Sequence, residues 1–203
     1  MEFAEGKAML SAGALPYRRT GSGPVVVYLH GTAGARLSEP LRALAASYTV
    51  IVPDLSGLAD KPRSAQAELV GEFIGTVSDD KVDIIGHGSG ARIAAWLAVR
   101  ASDRLDALVL AAPEDFARAG MDDALEAELP RIACLTLIVA GNADAVVQPD
   151  AVRLLKRRIP KSFLVYIHDA GHDIEADRPA PFLRVVSDFL QWGEGFLVRR
   201  NAA

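Results

Sequence analysis

Short apolar runs alternate with stretches of helical periodicity along most of this chain, and that alternation restricts it to few architectures. Val25 to His30 is a continuous run closing on Gly31, the pattern of a strand buried on both faces. Thr49 to Pro53, Val82 to Gly86, Leu105 to Ala112, Leu135 to Gly141 and Lys161 to Ile167 read the same way. Between them, Ser38 to Ala46 carries Leu41, Leu44 and Ala45 at helical spacing, and Ala91 to Arg100 sets Ala91, Ala94, Ala95 and Ala98 on one side. Phe182, Val185, Val186 and Phe189 follow the spacing of an amphipathic helix. The first 24 residues differ: Met9–Leu10 and Leu15–Arg19 flank Gly13, which predicts a short antiparallel hairpin at the sheet edge. The whole predicts an α/β fold in three layers, a mostly parallel central sheet with helices on both faces. At about 150 residues per domain, residues 1–203 make one domain.

Composition removes several classes of function. With 22 Lys and Arg against 26 Asp and Glu, the net charge is −4, so a basic nucleic-acid footprint is absent and no nucleic-acid partner is expected. The single cysteine, Cys134, excludes a disulfide framework and any multi-thiolate metal site. Met1 to Glu5 has neither the basic region nor the apolar stretch of a leader, and no uncharged apolar run approaches the ~20 residues of a membrane span. The expectation is a cytoplasmic protein without membrane attachment.

In such a sheet, ligands sit beyond the carboxyl ends of the strands. The residues there are unusual. His30-Gly31-Thr32-Ala33-Gly34 follows the first parallel strand, Gly86-His87-Gly88-Ser89-Gly90 follows the third and leads into a helix, and Gly141-Asn142-Ala143-Asp144 and Asp169-Ala170-Gly171-His172 follow the later ones. In this order they resemble the α/β-hydrolase family, over Val25 to Leu190. The resemblance implies a Gly-x-nucleophile-x-Gly elbow at Gly86 to Gly90, an acid at Asp144 and a base at His172. It further implies an oxyanion hole from the backbone amides of Thr32 and Ser89. The departure from the family pattern falls on Gly88, the nucleophile position, which has no oxygen to form an acyl-enzyme.

The other candidates have plainer readings. Ser89 is one step off the elbow apex, where its side chain would turn away from the base; its hydroxyl is expected to cap the following helix. Glu114, just past the Leu105 to Ala112 strand, is an alternative acid position. His30 and His87 are expected to hold loops by hydrogen bonds, and His168 to face solvent. Cys134, Trp96 and Trp192 read as packing residues, and Asp122, Asp123, Glu126 and Glu128 as a solvated helix face. Gly86 to Gly90 lacks the spacing of a dinucleotide turn and sits mid-sheet, so nucleotide binding is not expected. Pro113 to Ala133 leaves room for a reduced cap near 113–133 of about one short helix, hence an open site. The tail Phe196-Leu197-Val198 either packs on its own sheet or serves a homo-oligomer interface.

The resemblance implies a protein without metal or cofactor that takes a small-molecule substrate or ligand, and three functional accounts follow from it. One is an ester or acyl hydrolase by descent, with Asp144 and His172 kept and the serine replaced by Gly88. Another is His172/Asp144 chemistry without a covalent step, such as a lyase, cyclase or cofactor-free oxygenase. The last is a small-ligand-binding module.

Overall fold

In the computed structural model, which describes residues 3–116 and 123–196, eight strands form one sheet. They are β1 Ala4–Leu10, β2 Gly13–Thr20, β3 Val25–Leu29, β4 Thr49–Pro53, β5 Val82–His87, β6 Leu105–Ala111, β7 Leu135–Gly141 and β8 Ser162–Ile167. Their spatial order is β1-β2-β4-β3-β5-β6-β7-β8. The β1–β2 hairpin is antiparallel and joins β4 antiparallel, while every pairing from β4 to β8 is parallel.

The helices are α1 Glu39–Leu44, α2 Arg63–Val77, α3 Ser89–Arg100, α4 Asp123–Glu128, α5 Pro149–Arg158, α6 Ile174–Asp177 and α7 Pro179–Trp192. From β3 the chain passes through α1 to β4 on one side, then through α2 to β5 on the other. Right-handed crossovers in opposite directions put α1 and α2 on opposite faces of the sheet. The packing agrees: α2 lies against α3, and α1 against α7. The reversal also makes a crevice beyond the carboxyl ends of β3 and β5.

Close packing explains the small residues of α3. Ala91, Ala94, Ala95 and Ala98 are fully buried, and a Cβ on Gly86 would lie 2.7 Å from the Ala91 Cα and 2.8 Å from the Ala94 Cβ. Any larger residue at Gly86 would push α3 off the sheet. At the far end, Phe196 is buried edge-to-face against Phe163 and Phe189, at 5.2 and 5.6 Å between ring centroids. The tail thus packs on its own sheet as far as Phe196; Leu197 and Val198 lie outside the described residues. Trp96 is buried as expected, whereas Trp192 is 39% exposed and contributes less to packing than its spacing suggested. Helices α2 and α5 lie where the sequence reading placed none. In α2, Gly71 and Gly75 interrupt an otherwise buried stripe of Leu69, Val70, Phe73 and Ile74 and weaken its periodicity.

One buried carboxylate, Asp83 at the start of β5, works against the fold. Burial, reinforced by the charge of Asp106, lifts its pKa from an ordinary 3.8 to about 7, partly offset by a hydrogen bond from the Ala107 backbone. A pKa raised on folding gives a contribution that is full below pH 3.8 and lost as pH rises through 7. Asp83→Asn keeps an acceptor for Ala107 without the charge. It is expected to raise stability by about 2 kcal/mol at pH 8 and to leave it nearly unchanged at pH 4. Urea unfolding midpoints at the two pH values check this; an equal shift at both would contradict it.

Candidate active site

The five residues from Gly86 to Gly90 turn sharply from β5 into α3. Gly88 sits at φ +57°, ψ −123°, a conformation L side chains rarely adopt. Its N–H donates to the Ala111 carbonyl at 2.9 Å, and its own carbonyl accepts from the Ala91 N–H at 3.1 Å, so the bend is fixed to both β6 and α3. A Cβ on Gly90 would collide with the Leu29 carbonyl, which is why the strand–helix approach needs glycine there. The α3 helix begins at Ser89 with Gly88 as its N-cap and no side-chain cap, so the buried Ser89 hydroxyl does not play the capping role expected of it. The Gly31 to Gly34 turn, which carries Thr32, abuts the elbow: a Cβ on Gly31 would lie 3.6 Å from the Ser89 amide nitrogen.

The bend faces an imidazole held between two carboxylates. His172 Nδ1 is 3.0 Å from Asp144 Oδ2, and His172 Nε2 is 2.8 Å from Glu114 Oε1. Asp144 is fixed in turn, its Oδ1 accepting from the Val146 and Val147 amides at 2.7 and 3.0 Å. Its side chain is 1% exposed, against 27% for His172 and 17% for Glu114. A Cβ on Gly88 would lie 3.6 Å from His172 Nε2 and 2.8 Å from Glu114 Oε1. The structure therefore brings Gly88, Asp144 and His172 together in the expected order. Glu114, read from the sequence as an alternative acid position, lies against the opposite ring nitrogen from Asp144.

Electrostatics follow from that clamp. The hydrogen bond to Glu114 is the largest influence on His172; with Asp144 it outweighs partial burial and lifts the imidazole to about 9. The same bond holds Glu114 below its ordinary range. At neutral pH the ring is therefore held as an imidazolium beside an ionised Glu114.

The remaining histidines have structural partners. His30 Nε2 accepts from the Leu55 amide at 3.0 Å with Nδ1 2.8 Å from the Gly31 carbonyl, and His87 Nε2 lies 3.2 Å from the His172 carbonyl. Both hold loops, and His87 holds the one carrying His172. His168 is 79% exposed, and Cys134 is buried with its thiol pushed up to about 11. Asp122 and the Asp123 side chain lie outside the described residues, while Glu128 pairs with Arg131. Among the described residues no group of three or more His, Cys, Asp or Glu could hold a metal ion, and no helix is long and apolar enough to cross a membrane.

A cleft of about 280 Å³ beside the elbow is lined by Tyr28, His30, Gly31, Leu37, His87 and Asp173. A larger one of about 560 Å³ over the hairpin is lined by Lys7, Tyr17, Arg18 and Asp54, and shares no residue with the imidazole cluster. The smaller cleft is the one beside the bend, because His87 of the elbow and Gly31, packed against it, line it.

A family model described as alpha/beta hydrolase fold matches residues 24–133, more than half of the chain. The chain belongs to the alpha/beta hydrolase fold family. It is 33% identical over 118 residues to a soluble epoxide hydrolase of Corynebacterium sp. (strain C12), covering 54% of this chain and 41% of that protein. It is 36% identical over 101 residues to epoxide hydrolase 3 of Siraitia grosvenorii, covering 44% and 32%. The chain thus spans less than half the length of these curated relatives. Among solved structures, a bacterial membrane phospholipase A superposes with a TM-score of 0.82 over 93% of this chain and 86% of the other, at 20% identity, a likeness of fold alone. The mostly parallel sheet and the antiparallel hairpin at its edge are those expected from the sequence. Glu114 beside the imidazole is what the resemblance did not reveal. Its sequence signal was its place immediately after a buried strand.

Proposed function

We propose that this protein is a hydrolase of small molecules whose chemistry runs through His172 oriented by Asp144, without a serine acyl-enzyme at the elbow. The observation that carries this is the Asp144–His172 hydrogen bond at 3.0 Å, with the imidazole facing the apex of the bend at Gly88. A buried carboxylate on Nδ1 fixes the ring's orientation and stabilises its charged form. The Ser89 and Thr32 amides are the proposed oxyanion donors, requiring only backbone and so indifferent to the loss of a side chain at residue 88. The relatives named epoxide hydrolases put epoxides beside esters and thioesters among the substrates to try. The bare apex at Gly88 favours a second reading, in which His172 moves a proton without any covalent step.

The test is turnover of small esters, thioesters and epoxides by the unmodified protein and by His172→Ala. Hydrolysis that disappears with His172 supports the reading. Hydrolysis indifferent to His172 would overturn it, as would tight ligand binding with no turnover of any class.

A further inference from the structure

We propose that Glu114 is the nucleophile of this site: its carboxylate reaches from the end of β6 into the space that a side chain on residue 88 would fill, and attacks an epoxide carbon. This rests on the hydrolase reading above and names its substrate class.

Position is the first argument. Glu114 Oε1 is 2.8 Å from the point where a Cβ on Gly88 would be, and 2.8 Å from His172 Nε2, the nitrogen left free by Asp144. A nucleophile within hydrogen-bond reach of an imidazole that a third group orients is the arrangement covalent catalysis requires. The second argument is how the chain is bent to put it there. Glu114 is bracketed by Ala112 at φ +42° and Asp115 at φ +64°, two left-handed non-glycine residues. Such conformations cost about 1–3 kcal/mol each and persist where the surroundings hold them. Here the Glu114 N–H donates to the Gly88 carbonyl at 3.3 Å, the Ala112 N–H donates to the Val139 carbonyl at 2.8 Å, and buried Arg92 of α3 donates to the Asp115 carbonyl. Glu114 is also ionised, since its bond to His172 holds it below its ordinary range.

The chemistry selects the substrate. A carboxylate attacking an ester carbonyl would form an anhydride, more reactive than the ester it came from. Attack on the saturated carbon of an epoxide instead forms an ordinary ester and releases ring strain. In that step a Glu114 oxygen bonds to the carbon, the ring C–O bond breaks, and the His172 imidazolium gives its proton to the departing alkoxide. Neutral His172 then takes a proton from water as the water oxygen adds to the glutamyl carbonyl. Collapse expels the diol alkoxide, which takes that proton back. The Glu114 acid then passes its own proton to His172, restoring the carboxylate and the imidazolium.

The experiment is turnover of styrene oxide in oxygen-18 water, followed by mass analysis of the peptide carrying Glu114. Repeated turnover is expected to place oxygen-18 in Glu114, and a single turnover with enzyme in excess to give diol holding an unlabelled oxygen from the protein. Glu114→Gln is expected to lose at least about 100-fold in kcat/KM. Epoxide turnover with Glu114 unlabelled and all label in the first-formed diol would overturn the proposal. His172-dependent hydrolysis of esters with no turnover of epoxides would overturn it too, while leaving the hydrolase reading standing. No hydrolysis of any class would end both.

Discussion

Gly88→Ser combined with Glu114→Ala is expected to react with a fluorophosphonate at residue 88 at least about 100-fold faster than Gly88→Ser alone. The unmodified protein is expected not to react there, having no oxygen at that position. The reason lies in what the new hydroxyl meets. A Cβ at residue 88 comes within 2.8 Å of Glu114 Oε1, so the Glu114 side chain must swing aside or keep the serine from the imidazole. While Glu114 remains, it competes for His172 Nε2 and keeps the ring protonated near neutral pH, so the ring cannot take the serine proton. Removing it leaves the introduced serine, His172 and Asp144 as a triad. The φ of +57° at residue 88 costs the serine about 1–3 kcal/mol of backbone strain, so folding is checked by near-ultraviolet circular dichroism alongside. Equal labelling of the single and double variants would mean that Glu114 does not occupy the nitrogen facing the elbow.

The other large effect is on turnover. His172→Ala is expected to lower kcat/KM by about 10⁴-fold, the upper range for one acid–base group, because the proposed cycle uses the ring both as acid and as base. Asp144→Asn is expected to cost about 10³–10⁴-fold with little change in KM, since the amide no longer fixes the ring nor balances its charge. The pH dependence follows from the same geometry. An imidazolium is needed first, so activity should hold on the acid side until Glu114 takes a proton below its ordinary range. On the alkaline side it should fall as His172 deprotonates near 9. A rate that instead rises with pH through 7 would assign His172 the role of a base from the outset and remove the acid step.

How much of this was legible in the sequence depended on what each feature rests on. Buried parallel strands announce themselves as apolar runs, and β4 and β7 coincide with the stretches read for them. The elbow was legible because glycine spacing is a backbone requirement that no other residue meets at Gly86 and Gly90. Asp144 and His172 were singled out because they follow strands in the chain order that the resemblance implied, and the structure sets them 3.0 Å apart. Helix α5, though amphipathic, was missed between two stronger strand patterns, and α2 because its buried stripe is interrupted by glycine. The contact of Glu114 with the imidazole could not be foreseen. It depends on left-handed backbone at Ala112 and Asp115, and neither alanine nor aspartate signals that conformation as glycine would.

The imidazole between two carboxylates is the feature on which the proposed chemistry turns, and its titration reports it directly. His172 has a pKa raised on folding, so the stability it lends is full below about 6.5 and lost as pH rises through 9. Nuclear magnetic resonance of the four histidines, with His172→Ala to assign the signal, reads its midpoint without reference to any substrate. The midpoint is expected near 9 in the unmodified protein and at least about one unit lower in Glu114→Gln. A midpoint near 6.5 that Glu114→Gln does not move would contradict the clamp, and with it the assignment of Glu114 to this site.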